Sequence, residues 1–248
     1  MAPNLPKKLT TDTIVEALLE VQFETSELSE LAIGRLAAFP QWQRYPAVAL
    51  PASNIPAALR RADPNMGRLP ILEKREAGSA EFGRIGDRAI SLHRQRPYSG
   101  WENFGPKCHE LLSFVYASGL ADLKVTRLGL RYVNAFTEKD HGIKSLSELE
   151  LTMAVGPDQL GARAMLYFER RSHEDMIAQV KIASKELIAN PTPNDLAVFV
   201  DVDVILPPEA GGLNEEAAHQ WLERAHTQEK IQYFSLYTKD MMKRLVES

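Results

Sequence analysis

The sequence predicts an α+β protein in which antiparallel sheets are backed by helices. Three long segments, residues 15–23, 124–136 and 196–206, alternate apolar and polar side chains with the period of a β-strand. Segments with helical spacing follow runs of such strands, which is unlike the regular alternation of a parallel sheet. Because the order of strands and helices roughly recurs, we expect two structurally similar halves, residues 1–136 and 137–248.

The first half is expected to open with the strand at 15–23, followed by a helix. The proline-rich residues 40–70 predict an irregular insertion over the sheet. Gly86-Asp87 is typical of a two-residue hairpin turn, and a helix with one apolar stripe follows at 101–118. The arginine-bearing strand at 124–136 closes this half.

The second half is expected to contain a hairpin that turns at residues 172–175. The strand at 196–206 follows and ends at Pro207-Pro208. Asn214 is a typical N-cap residue and predicts the start of a helical segment that runs, with a kink, to about residue 246.

Composition is that of a globular protein, with 248 residues, 44% hydrophobic and 25% charged. The net charge of −4 argues against a surface built as a whole for polyanions. The charge is uneven, however, since residues 1–136 carry a net +3 and residues 137–248 a net −7. This asymmetry is compatible with a local anion site in the first half, or with contact between the halves.

The compartment is inferred from cysteine and hydropathy. A single cysteine, Cys108, excludes an intrachain disulfide, as expected in a reducing cytoplasm. No apolar stretch follows the basic N-terminal residues, and no window approaches the roughly 18 apolar residues of a membrane span. We therefore expect a cytoplasmic protein without membrane contact.

Two arginines and two aspartates lie on the predicted strands at positions where apolar residues are expected. Arg127 and Arg131 share a strand face with Val125 and Val133, and Asp201 and Asp203 share a face of the strand at 196–206. Charges in such positions are costly unless they are paired. The interpretation we favour is a structural ion-pair network of all four; the alternative is a functional site.

A strip of basic and aromatic residues around the first hairpin is the predicted ligand-binding surface. Guanidinium groups on one strand face suit phosphate or carboxylate recognition, and nearby aromatic rings can stack on a base. The strip consists of Arg84, Arg88, His93, Arg94, Arg96, Tyr98 and Trp101. The alternative is a solvated strand face followed by aromatic residues that pack inward.

Metal binding is not expected. Asp201 and Asp203 are two residues apart on one face, but no third acidic ligand stands at a telling spacing. His219, Glu223 and His226 share one helix face, but they lack the cysteines of a structural zinc site. We therefore predict no metal and no cofactor.

Four parts of the chain together carry a family resemblance: the strand at 14–23, the pair Trp101 and Phe104 before a helix, the segment Arg127-Leu-Gly-Leu-Arg131-Tyr-Val-Asn134, and His226 with Phe234. They resemble a sporadically distributed bacterial family of about this length and of unknown function. The family usually has Asn-Ala-Pro before the opening strand, whereas Thr11-Asp12-Thr13 stands here, so that turn is expected to differ. The resemblance brings no established activity. It implies an accessory role in mobile-element or defence gene clusters.

No catalytic residue is predicted. The sequence lacks G-x-S-x-G, Walker, G-x-G-x-x-G and H-E-x-x-H motifs, and no set of nucleophile, base and orienting residue can be assembled. We therefore expect a non-enzymatic binding or regulatory module that contacts a protein partner or an anionic ligand. The alternatives are a nucleic-acid-binding or RNA-processing protein acting through the hairpin at 84–96, and a homo-oligomer formed through exposed sheet edges.

Overall fold

The computed structural model describes residues 5–6, 9–151, 154–155, 158–159, 164–189, 191, 193–210 and 212–246. The strands are β1 (Ile14–Glu24), β2 (Ala47–Ala49), β3 (Leu72–Arg75), β4 (Glu81–Ile85), β5 (Ala89–Gln95), β6 (Lys124–Thr137), β7 (Ala154–Val155), β8 (Asp158–Gln159), β9 (Leu166–His173), β10 (Met176–Ser184) and β11 (Leu196–Ile205). The α-helices are α1 (Ser29–Ala37), α2 (Ala57–Ala62), α3 (Pro64–Gly67), α4 (Trp101–Tyr116), α5 (Glu138–His141), α6 (Glu215–Phe234) and α7 (Lys239–Leu245).

Nine of these strands form one antiparallel sheet in the order β2-β3-β4-β5-β1-β6-β11-β10-β9, and β7 pairs with β8 separately. The predicted α+β class is thus confirmed. Both predicted halves contribute to the same sheet, because β6 pairs along its length with β11. The structural similarity of the two halves stays a prediction.

One face of the sheet, the apolar face, packs against α1, α4 and α6. Ala17, Leu19 and Val21 of β1 are buried there, in one core with the apolar stripes of these helices. The stripe of α4 repeats at helical spacing, as in Phe104 and Cys108, which explains why this segment forms an amphipathic helix. The central strands are therefore fixed by burial on this side.

The opposite side of the sheet, the polar face, carries half-buried side chains. It begins on β1 with Glu16, Leu18 and Glu20, which alternate with the buried residues of the apolar face. Because β5, β1, β6 and β11 are neighbours in the sheet, charged residues of β1, β6 and β11 and polar residues of β5 meet on this face. The candidate functional site lies here.

The prediction that Val125 shares a strand face with Arg127 and Arg131 is wrong. The pairing of β1 with β6 shifts by one residue between Gln22 and Phe23, so that Phe23 pairs with Val125 while Gln22 pairs with Arg127. A β-bulge of this kind reverses the side on which the following residues point. Val125 therefore lies in the apolar core, and Arg127 remains on the polar face.

The turns and caps follow local chemistry. The predicted β4–β5 hairpin forms, but its two-residue tip is one position later than expected. The Gly86 N–H donates to the carbonyl oxygen of Ala89, so Asp87 and Arg88 occupy the tip. Asn214 caps α6 as predicted, because its side chain accepts a hydrogen bond from the Ala217 N–H at 2.9 Å. Among the described residues, no helix has both the length and the apolar character needed to cross a membrane.

Candidate functional site

The four charged residues of the central strands meet on the polar face. Arg131 donates from Nε and Nη2 to the two oxygens of Asp201, both at 2.7 Å. Arg127 donates to Asp203 at 3.1 Å and to Glu20 at 2.7 Å. The structure therefore forms two neighbouring ion-paired groups, Arg131 with Asp201 and Arg127 with Asp203 and with Glu20 of β1, and pairs Asp203 with Arg131 across the sheet. We call the two groups together the ion-pair network.

Two features show how closely this network is packed. A Cβ atom at Gly129 would lie 2.9 Å from Nη1 of Arg127, so the glycine leaves room for the guanidinium group. Burial raises the pKa of Asp203 to about 6, against the opposing influence of Arg127 and Arg131. Burial of Asp203 thus opposes the attraction between its carboxylate and the two arginines.

A groove of about 220 Å³ opens on the polar face beside this network. We call it the arginine groove. Its floor is formed by β5 and β1, with β4 on one side and β6 on the other, and one wall is formed by the end of the proline-rich segment. The lining residues are Glu16, Leu18, Glu20, Arg68, Pro70, Arg84, Gly86, Ala89, Ser91, His93 and Arg131.

A buried ion pair fixes the wall of the arginine groove. Arg60 of α2 donates to both oxygens of Asp87 at the hairpin tip, at 2.7 and 3.2 Å. Next to it, a Cβ atom at Gly86 would lie 2.5 Å from the carbonyl oxygen of Leu69, so only glycine permits this contact. Together these contacts hold the segment that carries Arg68 against the hairpin.

Three arginines from separate parts of the chain line the groove. Arg131 is held by Asp201, and Arg84 donates from Nε to Glu73 at 2.9 Å, which leaves its Nη groups available. Arg68 has neither an ion pair nor a hydrogen bond from its guanidinium group within the described residues. The groove thus has cationic groups beyond those that its own acids neutralise.

A chain of hydrogen bonds crosses the floor of the groove. Ser91 Oγ lies 2.8 Å from Nε2 of His93, and Nδ1 of His93 lies 2.9 Å from Oε1 of Glu16. Burial lowers the pKa of His93 despite its hydrogen bond with Glu16. Burial also acts to raise the pKa of Glu16, but its hydrogen bond with His93 and nearby charges hold that pKa below its ordinary value.

The structure does not bring the seven predicted ligand residues together. Arg84 and His93 line the groove, whereas Arg88 lies at the hairpin tip. Arg94 donates twice to the carbonyl oxygen of Pro97 and lies 3.6 Å from Glu81, on the apolar side of β5. Arg96 follows the strand and donates to the carbonyl oxygens of Asp12, Thr13 and Ile14. Arg94 and Arg96 therefore support the backbone, and they do not share a strand face.

The two aromatic residues of the predicted strip pack inward. Tyr98 forms a hydrogen bond of 2.9 Å with the hydroxyl group of Tyr132 in the core. Trp101 stacks on His226 with the ring centroids 4.0 Å apart. Neither ring is placed for stacking on a base beside Arg84.

No group of three or more metal-ligating side chains is present in the part of the chain that the structure describes. His219 and Glu223 contact His109 of α4, with a distance of 2.6 Å between the Nδ1 atoms of the two histidines. His226, which shares their helix, lies against Trp101 instead.

A second cavity, of about 330 Å³, lies at the edge of the apolar face beside Trp42. Its charged and amide groups are already paired, Lys107 with Glu81 and Gln41 with Glu110. The arginine groove is therefore the stronger candidate, although it is smaller.

Ser91, Glu16 and Arg68 are among the groove residues that were not predicted from the sequence. Ser91 and His93 are two residues apart on β5, so they share one face of the strand. This spacing can be read from the sequence, but it is too common in strands to indicate a site. Glu16 reaches His93 only because β1 pairs with β5 in the observed register. Arg68 lies in the proline-rich segment, where no periodicity indicates its direction. Long-range pairing, which the sequence does not display, brings these residues together.

Comparison with models of known protein families and with curated proteins finds no match to this chain. Its function is therefore inferred from the geometry of the arginine groove.

Proposed function

We propose that this protein is a binding module for a small ligand that carries a carboxylate or phosphate group, and that this group binds in the arginine groove. The volume of about 220 Å³ is below the usual range of drug-sized sites. It suits a small acid, or one acidic end of a larger molecule. The accessory role implied by the family resemblance is compatible with such a module.

The observation that carries the proposal is the convergence of Arg68, Arg84 and Arg131 on one groove. Guanidinium groups present a planar fork of donors that matches a carboxylate or phosphate. Arg68 is the most informative of the three, because no described residue neutralises it. An anionic ligand would supply the missing partner.

The acids in the groove already have hydrogen-bond partners within the protein. Glu16 accepts a hydrogen bond from His93, and Glu20 accepts from both Arg127 and Gln22. Each carboxylate is thus already engaged along the floor. The outer groups of Arg68 and Arg84 remain for a ligand.

The alternative of nucleic-acid binding through the hairpin at 84–96 receives less support. It depends on Arg94 and Arg96 for phosphate contacts and on Tyr98 and Trp101 for stacking. All four side chains have partners within the protein. A single acidic group in the groove needs none of them.

The test is calorimetric titration with succinate and with inorganic phosphate at constant ionic strength. We expect saturable binding of at least one of them, weakened about tenfold or more in Arg68→Gln, since a hydrogen bond to a charged group contributes about 1.5–3 kcal/mol. The matched control is Arg61→Gln, which removes the same charge from an exposed position of α2 outside the groove.

Two outcomes would contradict the proposal. The first is that neither anion binds the parent protein at millimolar concentration. The second is that Arg61→Gln weakens binding as much as Arg68→Gln does. The second outcome would indicate a general charge effect and not a site.

A further inference from the structure

Ser91, His93 and Glu16 form a hydrogen-bonded series on the floor of the arginine groove. Ser91 and His93 alternate on β5, so both side chains point to the polar face. Glu16 reaches the far nitrogen of the same imidazole from β1, and the two contacts measure 2.8 and 2.9 Å. All three residues line the groove.

The chemistry of Glu16 determines the direction of these hydrogen bonds. An ionised carboxylate can only accept, so Nδ1 of His93 must carry the proton that it shares with Glu16. In the neutral imidazole, Nε2 is then an acceptor, and the Ser91 hydroxyl group must donate to it. This is the arrangement in which a histidine can remove the proton of a serine.

Ser91 lies between two charged cross-strand neighbours, Arg84 of β4 and Glu20 of β1, and the Glu20 carboxylate accepts a hydrogen bond from Arg127. Arg84 pairs directly across from Ser91 on β4, and residues so placed have Cβ atoms about 4.5–5.5 Å apart. Arg131 lines the same groove from the other side. An oxyanion that forms on a group bound to Ser91 would meet fixed positive charge.

We infer that Ser91, His93 and Glu16 form a hydrolytic site for an ester whose acyl part carries a carboxylate or phosphate group. Ser91 is the nucleophile, His93 the general base, and Glu16 the residue that positions His93. The inference rests on the proposed function, because the arginines of the groove would hold the acidic end of the substrate. It adds a reaction to that binding.

The reaction is an acyl transfer to Ser91 followed by hydrolysis. The Ser91 oxygen adds to the ester carbonyl carbon while its proton passes to Nε2 of His93. The bond from carbon to the leaving oxygen breaks, and that oxygen takes the proton from His93 to leave as an alcohol. Water then attacks the acyl-serine in the same way, which releases the acid and restores the Ser91 hydroxyl group.

The test is reaction of the full-length protein with a small alkyl fluorophosphonate, followed by intact mass and peptide mapping. The serine oxygen attacks phosphorus, fluoride leaves, and one phosphonyl group remains on the protein. We expect labelling at Ser91, absent in Ser91→Ala and slowed about 100-fold or more in His93→Gln, since general-base assistance contributes about 10²–10⁴-fold.

The matched control is Ser113→Ala, which should label as the parent does. Ser113 also lies close to a histidine, 3.1 Å from Nε2 of His219, but it donates its hydrogen to Glu215 at 2.6 Å. For Glu16, the aspartate variant should label faster than the glutamine variant, because only a carboxylate fixes the proton on Nδ1. A purely structural partner would be replaced equally well by the amide.

The parent protein alone can refute the inference, so no variant needs to fold for the test to count. An unlabelled Ser91, or labelling that persists in Ser91→Ala, overturns it. Succinate titration separates the two proposals. If succinate binds but Ser91 is not labelled, only the hydrolytic site is overturned. If Ser91 is labelled, excess succinate does not slow the labelling, and calorimetry shows no binding, only the anion-binding proposal is overturned.

Discussion

Substitution of Asp87 by asparagine is expected to destabilise the protein strongly. The side chains of Asp87 and Arg60 are only 1% and 7% exposed, and their two hydrogen bonds join α2 to the hairpin tip. Asparagine keeps the shape of the side chain but leaves the guanidinium charge buried without a counterion. Removal of one partner from a buried pair costs about 3–5 kcal/mol, so we expect a loss of that size in the free energy of unfolding.

The assay is equilibrium unfolding in urea at pH 7, followed by tryptophan fluorescence, with Asp175→Asn as the control. Arg224 and Asp175 form the same bidentate pair, with both hydrogen bonds at 2.7 Å, but their side chains are 44% and 35% exposed. An exposed pair contributes about 0–1 kcal/mol because water and salt screen it. The two substitutions therefore differ in burial, and also in that Arg224 keeps a contact of 3.4 Å with Glu174 when Asp175 is replaced.

A loss below about 1 kcal/mol in Asp87→Asn, or equal losses in both variants, would refute this reasoning. Such a result would mean that the Arg60 side chain reaches water when its partner is removed, and that another contact fixes the wall of the arginine groove.

Two further predictions concern the core. In Gly83→Ala, the new Cβ atom would lie 2.6 Å from the ring of Trp42, so we expect a loss of about 1–3 kcal/mol in the free energy of unfolding in urea. Gly34→Ala, inside α1 and with no atom within 4 Å of the new Cβ, should instead gain about 0.5–1 kcal/mol, because alanine favours the helix over glycine. Equal losses in the two variants would contradict the clash. Burial raises the pKa of Glu229 from 4.5 to about 8. Because its pKa is higher in the folded state than in the unfolded state, Glu229 favours folding most when it is protonated, below pH 4.5. The free energy of unfolding then falls, by on the order of 3–5 kcal/mol, as the pH rises to about 8. Glu229→Gln should therefore gain stability relative to the parent between pH 5 and pH 9, and parallel pH profiles would contradict the assignment.

Much of the fold could be predicted because the alternation of apolar and polar residues in the sequence identifies the long strands. The alternation in β1, β6 and β11 indicates which residues face the core, and Asn214 marks the start of α6. The bulge at Val125 could not be predicted, because a bulge depends on how two strands pair and not on the residues of one strand.

The site was predicted only in part, for a related reason. Arg84 and His93 belong to the groove, but the partners that give His93 its hydrogen bonds come from β1 and from an alternating position two residues earlier. Arg94 and Arg96 resemble ligand-binding residues in the sequence, yet backbone carbonyl oxygens use their guanidinium groups. Charge alone does not show whether a side chain already has a partner.

The most direct test of the central claim, that the arginine groove binds an acidic group, is to follow the arginine Nε–H signals by ¹H–¹⁵N NMR during titration with succinate. The signals are assigned by single substitution. We predict that those of Arg68 and Arg84 shift and saturate together, while those of Arg61 and Arg224, outside the groove, stay in place. Uniform shifts of all four signals without saturation, or no shift at Arg68, would contradict the account.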